Sequence, residues 1–287
     1  MTRTLVISDT HMPRGRLTSE KPLLGLLAEC DRLVVNGDLA ELHQPGLIER
    51  SKHLVDALRE QAAARNTTLE LLAGNHDPEI SRWRGLGFAD NRLIITHGDA
   101  FHMMIAPWAR HALTIKRAWT ETRNAHQAEA ELVEHRFDAV RAAALAEWDA
   151  ESEEATFTTL GSVARRPDAI LKILRYWQKA PEHARLFAQT FFPKADYLVV
   201  GHTHRAGISK RKKPVVINTG AFSFPGRPHA VLLEGNRIQV VPLRLQKELW
   251  MPVFKRPRYE QTLPDAGVLT GRWGIPEGSG DLDHAHD

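Results

Sequence analysis

Cysteine is nearly absent from this sequence: Cys30 is the single one among 287 residues, so an intrachain disulfide is impossible. The chain also lacks an apolar run of the roughly 18 residues that a membrane-spanning helix needs. Its first residues, MTRTLVISDTH, lack the apolar segment of a secretory signal. These absences argue against a disulfide-stabilised secreted domain and against a membrane protein. We expect a protein of the reducing cytoplasm, without a transmembrane segment.

An excess of one sign of charge is also missing, because 38 basic and 35 acidic residues leave a formal net charge of only +3. This mild basic excess suits a small phosphorylated substrate, whereas a protein that coats nucleic acid needs a concentrated basic surface. The basic run KRKK at residues 210–213 is more typical of a solvated hairpin turn. We therefore expect no nucleic-acid partner, and the oligomeric state stays open.

Short apolar runs alternate with amphipathic stretches in the first part of the chain, which is typical of an α/β fold. The predicted strands there are RTLVIS, DRLVVN, TTLELL and NRLIIT, and the predicted helices are EKPLLGLLAEC and QPGLIERSKHLVDALREQAAARN. Strands return after ADYLVV, in KPVVINTG, HAVLLE and RIQVVPL, and Gly235-Asn236 forms the tight turn of a predicted hairpin.

The character of the sequence changes in the middle of the chain, where alternating strands give way to amphipathic helices. Apolar residues there recur at steps of three or four, as in Val133, Phe137, Val140, Ala144 and Trp148. RPDAILKILRYWQ and PEHARLFAQTFF predict two further helices. We therefore predict one domain over residues 1–246, interrupted by a helical insertion at 103–194. Residues 247–287, which are rich in proline and glycine, are predicted to form an irregular tail.

Five of the predicted strands end directly in a short cluster of polar residues. The clusters are Asp9-Thr10-His11, Gly37-Asp38, Gly74-Asn75-His76-Asp77, His97-Gly98-Asp99 and Gly201-His202-Thr203-His204. One such cluster is readily explained as a polar turn, but five in chain order are not. Because sites in open α/β sheets gather at the carboxyl ends of strands, we expect these side chains to converge.

The converging side chains would supply oxygen and imidazole ligands without a thiolate. They are Asp9, His11, Asp38, Asn75, His97, His202 and His204. Such ligands suit Mn, Fe, Zn, Co or Ni, among which we expect Mn. Two divalent ions about 3.5–4 Å apart can hold a hydroxide and clamp phosphoryl oxygens, and Asp38 is the natural bridge between them. We assign His76 to the leaving oxygen, and Asp77 or Asp9 to orienting an imidazole.

All five clusters resemble the motifs of the calcineurin-like metallophosphoesterases, over residues 1–102 and 195–243. The resemblance implies a four-layer α/β/β/α sandwich with a dinuclear metal centre and a helical insertion as a cap. It further implies that Asp9, His11, Asp38 and His204 hold one metal, and that Asp38, Asn75, His97 and His202 hold the other. The implied activity is hydrolysis of a phosphate monoester or diester by a metal-bridging hydroxide, with His76 at the leaving group. A scaffold without catalysis and a nuclease are less favoured.

A narrower resemblance rests on GDLAEL, HGDAFH and GHTHR, with a helical insertion after HGD. These features are similar to the bacterial UDP-2,3-diacylglucosamine pyrophosphohydrolases, whose insertion caps the site and holds acyl chains. This resemblance implies an alternative reaction, hydrolysis of the pyrophosphate bond of a UDP-diacylglucosamine-like lipid. The chain departs from that subfamily at His76, where the subfamily has arginine, and NTGAFSFPGRPHAVLLE resembles more general bacterial members.

Three further residues are candidate substrate contacts. Arg205 follows the last cluster and Arg14 follows the first, so either guanidinium could meet a phosphate. His43 lies five residues after Asp38 and is a third candidate, although a surface histidine at a helix start is the favoured explanation. The tryptophans of the insertion are expected to fill the core of a helical cap, and the alternative is that they line an apolar substrate groove.

Overall fold

Two β-sheets flanked by helices make up the computed structural model, which describes residues 2–127, 131–153, 167–223 and 226–276. The strands are β1 (Arg3–Ile7), β2 (Arg32–Asn36), β3 (Thr68–Leu72), β4 (Trp83–Phe88), β5 (Leu93–Thr96), β6 (Tyr197–Val200), β7 (Gly207–Ser209), β8 (Val215–Asn218), β9 (His229–Glu234), β10 (Arg237–Gln246), β11 (Leu249–Pro252), β12 (Tyr259–Thr262) and β13 (Leu269–Gly274). The helices are α1 (Leu24–Leu27), α2 (Ile48–Ala63), α3 (Ala112–Ala125), α4 (Val133–Glu153) and α5 (Pro167–Phe191), with 3-10 turns at Lys21–Leu23 and Asp99–Phe101.

The first sheet has the strand order β11-β10-β9-β1-β2-β3, and β12 also pairs with β10. The second sheet has the order β13-β4-β5-β6-β8-β7. Within them, β1, β2 and β3 run parallel, and so do β5, β6 and β8. The predicted hairpin at Gly235-Asn236 is confirmed by the antiparallel pairing of β9 with β10.

Side chains alternate along β1 and thereby build two of the protein's layers. Leu5 and Ile7 pack with α1 and α2 in one buried cluster, whereas Val6 packs in another cluster with residues of the second sheet. This alternation follows from the period of two in a strand, which sends successive side chains to opposite faces. Each fully buried aliphatic side chain contributes roughly 1.5–3 kcal/mol of transfer free energy. The predicted α/β sandwich is confirmed.

The helical insertion packs on the outer face of the second sheet. Ile115 and Trp119 of α3, together with Phe137 of α4 and Phe187 of α5, share a buried cluster with Leu198 of β6. The two helices predicted over 167–192 form one helix, α5, with Pro181 inside it. Pro181 has no backbone N–H and cannot donate the hydrogen bond expected inside a helix. The burial of Tyr176 before the proline and of Phe187 after it offsets this loss.

The prediction of an irregular tail from residue 247 is wrong for the segment that contains β11, β12 and β13. Strand β13 pairs with β4, another strand that the sequence did not reveal. Glycines at positions 87 and 271 are untypical of strands, which is why the sequence did not predict β4 and β13. In the structure, the Trp273 ring occupies the space that a Cβ at either position would need. Residues 277–287 of the predicted tail, and 128–130 and 154–166 of the predicted insertion, lie outside the described residues.

No helix in the described parts of the chain combines the length and apolar character that a bilayer span requires.

Candidate active site

All seven predicted ligands follow the carboxyl ends of parallel strands. Asp9 and His11 follow β1, Asp38 follows β2, Asn75 follows β3, His97 follows β5, and His202 and His204 follow β6. The side-chain amide of Asn36 at the end of β2 donates a hydrogen bond to the carbonyl of Thr96 at the end of β5, at 3.0 Å. This bond joins the two sheets beside the ligands, so that both sets of strand ends face one site.

The turns that carry the ligands have unusual backbone geometry. The φ angles are 54° at Asp9, 52° at His11, 54° at Asp38, 62° at His202 and 58° at His204. Left-handed backbone is unfavourable for residues with a Cβ, and it is concentrated at functional sites. Gly37 has a φ of 78°, and a Cβ at this position would overlap the His97 ring. These turns therefore aim their side chains at one another instead of taking the lowest-energy backbone.

The first group of ligands brings two carboxylates and two imidazoles together. One ligand atom from each of Asp9, His11, Asp38 and His204 lies within 4.8 Å of the others. The Nε2 atoms of His11 and His204 are 2.9 Å apart, and His204 Nε2 is 3.3 Å from Asp9 Oδ1. Because Glu41 accepts the proton on Nδ1 of His11 at 3.0 Å, Nε2 of that ring carries a lone pair. A divalent cation suits this set of electron donors.

The second group centres on His97, which is fully buried. Its Nδ1 donates to the carbonyl of Asn36 at 2.8 Å, so that the neutral ring carries its lone pair on Nε2. Among the described residues that Nε2 has no hydrogen-bond partner, and it lies 3.2 Å from Oδ2 of Asp38. Burial alone would lower the pKa of His97, but the charge of Asp38 raises it well above its usual range, so that without a metal a proton lies between these two atoms, and a bound metal ion would replace that proton. The residues present therefore fit a metal ion on this side of Asp38.

His202 and Asn75 likewise bring a ring nitrogen close to a side-chain oxygen. Its Nε2 donates to the carbonyl of Ile105 at 3.2 Å, which leaves the lone pair on Nδ1. Nδ1 lies 2.9 Å from Oδ1 of Asn75. The rings of His97 and His202 lie 5.4 Å apart between centroids, so the two pairs of donors are neighbours.

The charge states of the buried ligands also favour cation binding. Burial alone would raise the pKa of Asp38, but the imidazoles of His97 and His76 hold it well below its usual range. Burial and the neighbouring His97 lower the pKa of His202 to about 4, so that this imidazole is neutral at physiological pH. An ionised carboxylate and a neutral imidazole are the forms in which these side chains bind metals.

Glu41 is a site residue that the sequence analysis missed. It is fully buried, and its two oxygens lie 3.0 Å from Nδ1 of His11 and 3.0 Å from Nδ1 of His76. Burial alone would lower the pKa of His76, but the charge of Glu41 raises it to about 10. The sequence feature that could have identified it is an acidic residue three positions after Asp38, within GDLAEL. Glu41 fixes the orientation of both rings.

Asp77 contacts the backbone, whereas we expected it to orient an imidazole. Its carboxylate accepts hydrogen bonds from the N–H groups of Asp38 at 3.0 Å, Leu39 at 2.6 Å and Gly74 at 2.9 Å. Burial, followed by the charge of Asp38, raises its pKa to about 7. Asp77 does not orient an imidazole, because its carboxylate satisfies the N–H groups of the turn after β2; the other candidate, Asp9, does lie beside an imidazole, with Oδ1 3.3 Å from Nε2 of His204. Asp77 therefore positions the turn that carries Asp38.

Two of the three predicted substrate contacts lie next to His76. Arg14 donates from Nη1 to Glu41 at 3.2 Å while a good part of its side chain remains exposed. The His43 ring stacks on Trp148 with 6.4 Å between centroids, and Trp148 in turn contacts the edge of His76 at 5.3 Å. Arg14 and His43 thus lie at the side of the site that contains His76.

The third, Arg205, lies away from His76. Its guanidinium stands over the Trp177 ring, 5.9 Å from the centroid, and lines a cavity beside α5.

The helical insertion contributes directly to the site. The indole N–H of Trp148 donates to the carbonyl of Asn75 at 2.9 Å, and the carbonyl of Ile105 orients His202 as described above. We expected Trp148 to fill the core of a cap, and it does lie buried, but it also holds the turn that carries Asn75 and His76. A periodic apolar pattern could not reveal that second role.

The sequence of the chain matches the model of a known protein family. Residues 2–236 match a family model described as "Calcineurin-like phosphoesterase superfamily domain". No curated protein sequence matches the chain.

Several solved structures resemble the chain at low sequence identity. Vacuolar protein sorting 29 from Cryptosporidium parvum is 13% identical, with 91% of this chain and 98% of that chain covered and a TM-score of 0.40. The phosphoesterase Yfce from E. coli is 15% identical, with coverages of 91% and 99% and a TM-score of 0.41. A cold-active protein-tyrosine phosphatase from a Shewanella species is 14% identical, with coverages of 84% and 78% and a TM-score of 0.40.

Proposed function

Because the chain belongs to the calcineurin-like phosphoesterase superfamily, which makes it a hydrolase acting on phosphoester bonds, we propose that it hydrolyses a phosphate monoester or diester at a dinuclear metal centre. The observation that carries this proposal is the set of facing electron donors around Asp38. His97 Nε2 on one side and His11 Nε2 on the other lie 3.2 and 3.7 Å from Oδ2 of Asp38. A carboxylate between two imidazole lone pairs suits a bridge between two divalent ions.

The seven predicted ligands divide into two sets that share Asp38. Asp9, His11, Asp38 and His204 would hold one ion, and Asp38, Asn75, His97 and His202 would hold the other. Divalent transition-metal ions, for which Mn is our expectation, would supply Lewis-acid polarisation of a phosphoryl oxygen and a coordinated water with a pKa near ~7. The protein supplies the ligand geometry, which is supported by the hydrogen bonds of Glu41 and Asn36 to the imidazoles.

His76 is the proposed proton donor to the leaving oxygen. Since Glu41 holds Nδ1, the other ring nitrogen is available to the substrate. A raised pKa of about 10 keeps the imidazole cationic at neutral pH. A positioned general acid of this kind contributes typically 10²–10⁴-fold to the rate. Arg14, close to the same edge of the site, is placed to meet a phosphate oxygen.

The decisive experiment compares Asp38→Ala with the wild type on an aryl phosphodiester, after loading with manganese. We expect turnover of the variant to fall to the level of protein-free buffer, together with a lower bound-metal content. Asp56→Ala is the matched control, because Asp56 is an exposed aspartate on α2. Full turnover in Asp38→Ala would reject the proposal, and an absence of bound metal in the wild type would favour a scaffold.

A panel of substrates then distinguishes hydrolysis of a phosphate ester from the alternative reaction, hydrolysis of a pyrophosphate bond. It contains phosphomonoesters, cyclic and linear phosphodiesters, and nucleoside diphosphate sugars with and without acyl chains. Preferential hydrolysis of the acylated nucleotide sugars would support the UDP-diacylglucosamine-like alternative, and preference for the simple esters would exclude it.

A further inference from the structure

A cavity of about 340 Å³ lies between α5 and the edge formed by β6, β7 and β8. It begins at the predicted metal ligands: Gly98, Gly201 and Thr203 line it, and each is the sequence neighbour of a ligand histidine. The ring of Tyr176, another lining residue, is 6.1 Å from that of His202 between centroids. A group bound in this cavity would therefore be next to a phosphoryl group held at the metal ligands.

The wall of the cavity is largely apolar and rich in aromatic rings. Tyr176 and Trp177 of α5 line one side, Ile208 and Val216 line the sheet side, and Phe101 of the turn after β5 also lines the wall. Such rings favour an aromatic ligand, because offset or edge contacts between rings add to the burial of apolar area.

Two polar side chains of the wall, Asn218 and Ser209, already have partners within the protein. The Asn218 side-chain amide donates to the carbonyl of Gly201 at 2.6 Å and to Thr203 Oγ1 at 3.0 Å. Ser209 Oγ accepts a hydrogen bond from Arg185 at 2.6 Å. A strongly polar ligand would find few free hydrogen-bonding groups here and would lose its hydration without compensation.

The rim has one cationic side chain, Arg205, whose guanidinium stands over the Trp177 ring. This charge suits the anionic end of a ligand whose apolar end enters the cavity. The volume, near the lower end of the 300–1,000 Å³ that is usual for small-molecule sites, suits a single ring more than an extended chain.

From these observations we propose that the cavity is a specificity site for an aromatic substituent that stays on the phosphorus of the substrate, because the leaving oxygen is on the side of His76. The inference rests on the proposed phosphoesterase function and narrows the substrate class to esters in which an aromatic ring is close to the phosphate. Trp177 and Tyr176 contact the ring, and Arg205 lies on the phosphate side.

The test measures binding rather than turnover, with phenylphosphonate and methylphosphonate as probes and calorimetry on the manganese-loaded protein. We expect the phenyl compound to bind the wild type about 10-fold or more tightly than the methyl compound. Ala180→Trp fills the cavity, because Ala180 lines it, and the preference should disappear. Lys179→Trp is the matched control, since Lys179 is exposed on the same helix and should leave the preference intact.

A second variant keeps the proposal testable if Ala180→Trp does not fold. Trp177→Ala removes one wall and should lower the affinity for phenylphosphonate while leaving that for methylphosphonate unchanged. The proposal is overturned if the wild type shows no preference, if it binds neither compound, or if Ala180→Trp retains the preference. If the proposed phosphoesterase function is wrong, turnover will not depend on Asp38, while the preference for phenylphosphonate can still persist.

Discussion

The Oε2 atom of Glu41 lies 3.0 Å from Nδ1 of His76, and the Glu41 side chain is completely buried. This contact holds the ring and keeps it charged. We predict that Glu41→Gln lowers kcat by about 10–100-fold, the usual range for a group that orients a metal ligand or its neighbour. The fall of activity at high pH should also move to lower pH, because the pKa of His76 loses the charge that raises it to about 10.

The control for this change is Glu49→Gln, at an exposed glutamate on α2 that pairs only with Lys52 in the contacts described. Its kcat and pH profile should match those of the wild type. If Glu41→Gln kept the wild-type pH profile, the carboxylate would not control the protonation of His76.

The position of the metal site could be predicted from sequence because parallel strands end at the same edge. Asp9, Asp38 and Asn75 follow three parallel neighbours of one sheet, so chain order alone brings them together. The contribution of Trp148 could not be predicted, because its partner lies 73 residues away and the helix pattern gives it an ordinary core position. Glycine-rich β13 was missed for a different reason: the packing of Trp273, not strand propensity, explains its composition.

Trp148 should contribute both to stability and to the site. Trp148→Phe keeps an aromatic ring but removes the N–H that donates to the carbonyl of Asn75. We expect a loss of about 1 kcal/mol in the free energy of unfolding, measured by urea denaturation. We also expect weaker manganese binding, because the freed turn carries the ligand Asn75.

Trp119→Phe is a close control, since Trp119 is a buried tryptophan of the insertion whose indole N–H has no hydrogen-bond partner in the part of the chain that the structure describes. This variant loses ring volume but no hydrogen bond, and it should leave manganese affinity unchanged. Equal metal affinity in Trp148→Phe and Trp119→Phe would show that the bond to Asn75 is not needed.

Arg84 and Asp99 form a buried ion pair behind the site, at 2.9 Å between Nη1 and Oδ2. Arg84 also donates to the carbonyl of Gly74, the first residue of the turn that carries Asn75. Removing one partner leaves an uncompensated charge in the interior. We therefore predict that Arg84→Met destabilises the protein by about 3–5 kcal/mol in urea denaturation.

The double variant Arg84→Met/Asp99→Leu removes both charges and should recover much of that loss. Arg117→Met breaks only an exposed pair with Glu121 and should leave the free energy of unfolding unchanged. A single variant as stable as the double variant would mean that Asp99 finds another partner.

Glu147, on the same helix as Trp148, makes the stability of the protein depend on pH. Burial, followed by the charge of Glu151, raises its pKa from 4.5 to about 7. The folded state thus binds a proton that the unfolded state has released, so stability falls as the pH rises from 4.5 to 7 and changes no further above that range. Glu147→Gln is neutral at every pH and lacks this contribution.

Relative to the wild type, Glu147→Gln should therefore become more stable between pH 4 and pH 8, by on the order of 2 kcal/mol. Urea denaturation of both proteins at the two pH values measures this difference, and the contributions of all other titrating groups cancel between them. Glu153→Gln, at an exposed position near the end of α4, should show no such change. If the difference between Glu147→Gln and wild type were independent of pH, the Glu147 carboxyl would titrate alike in the folded and unfolded chain, and its burial beside Glu151 would have no effect on its charge.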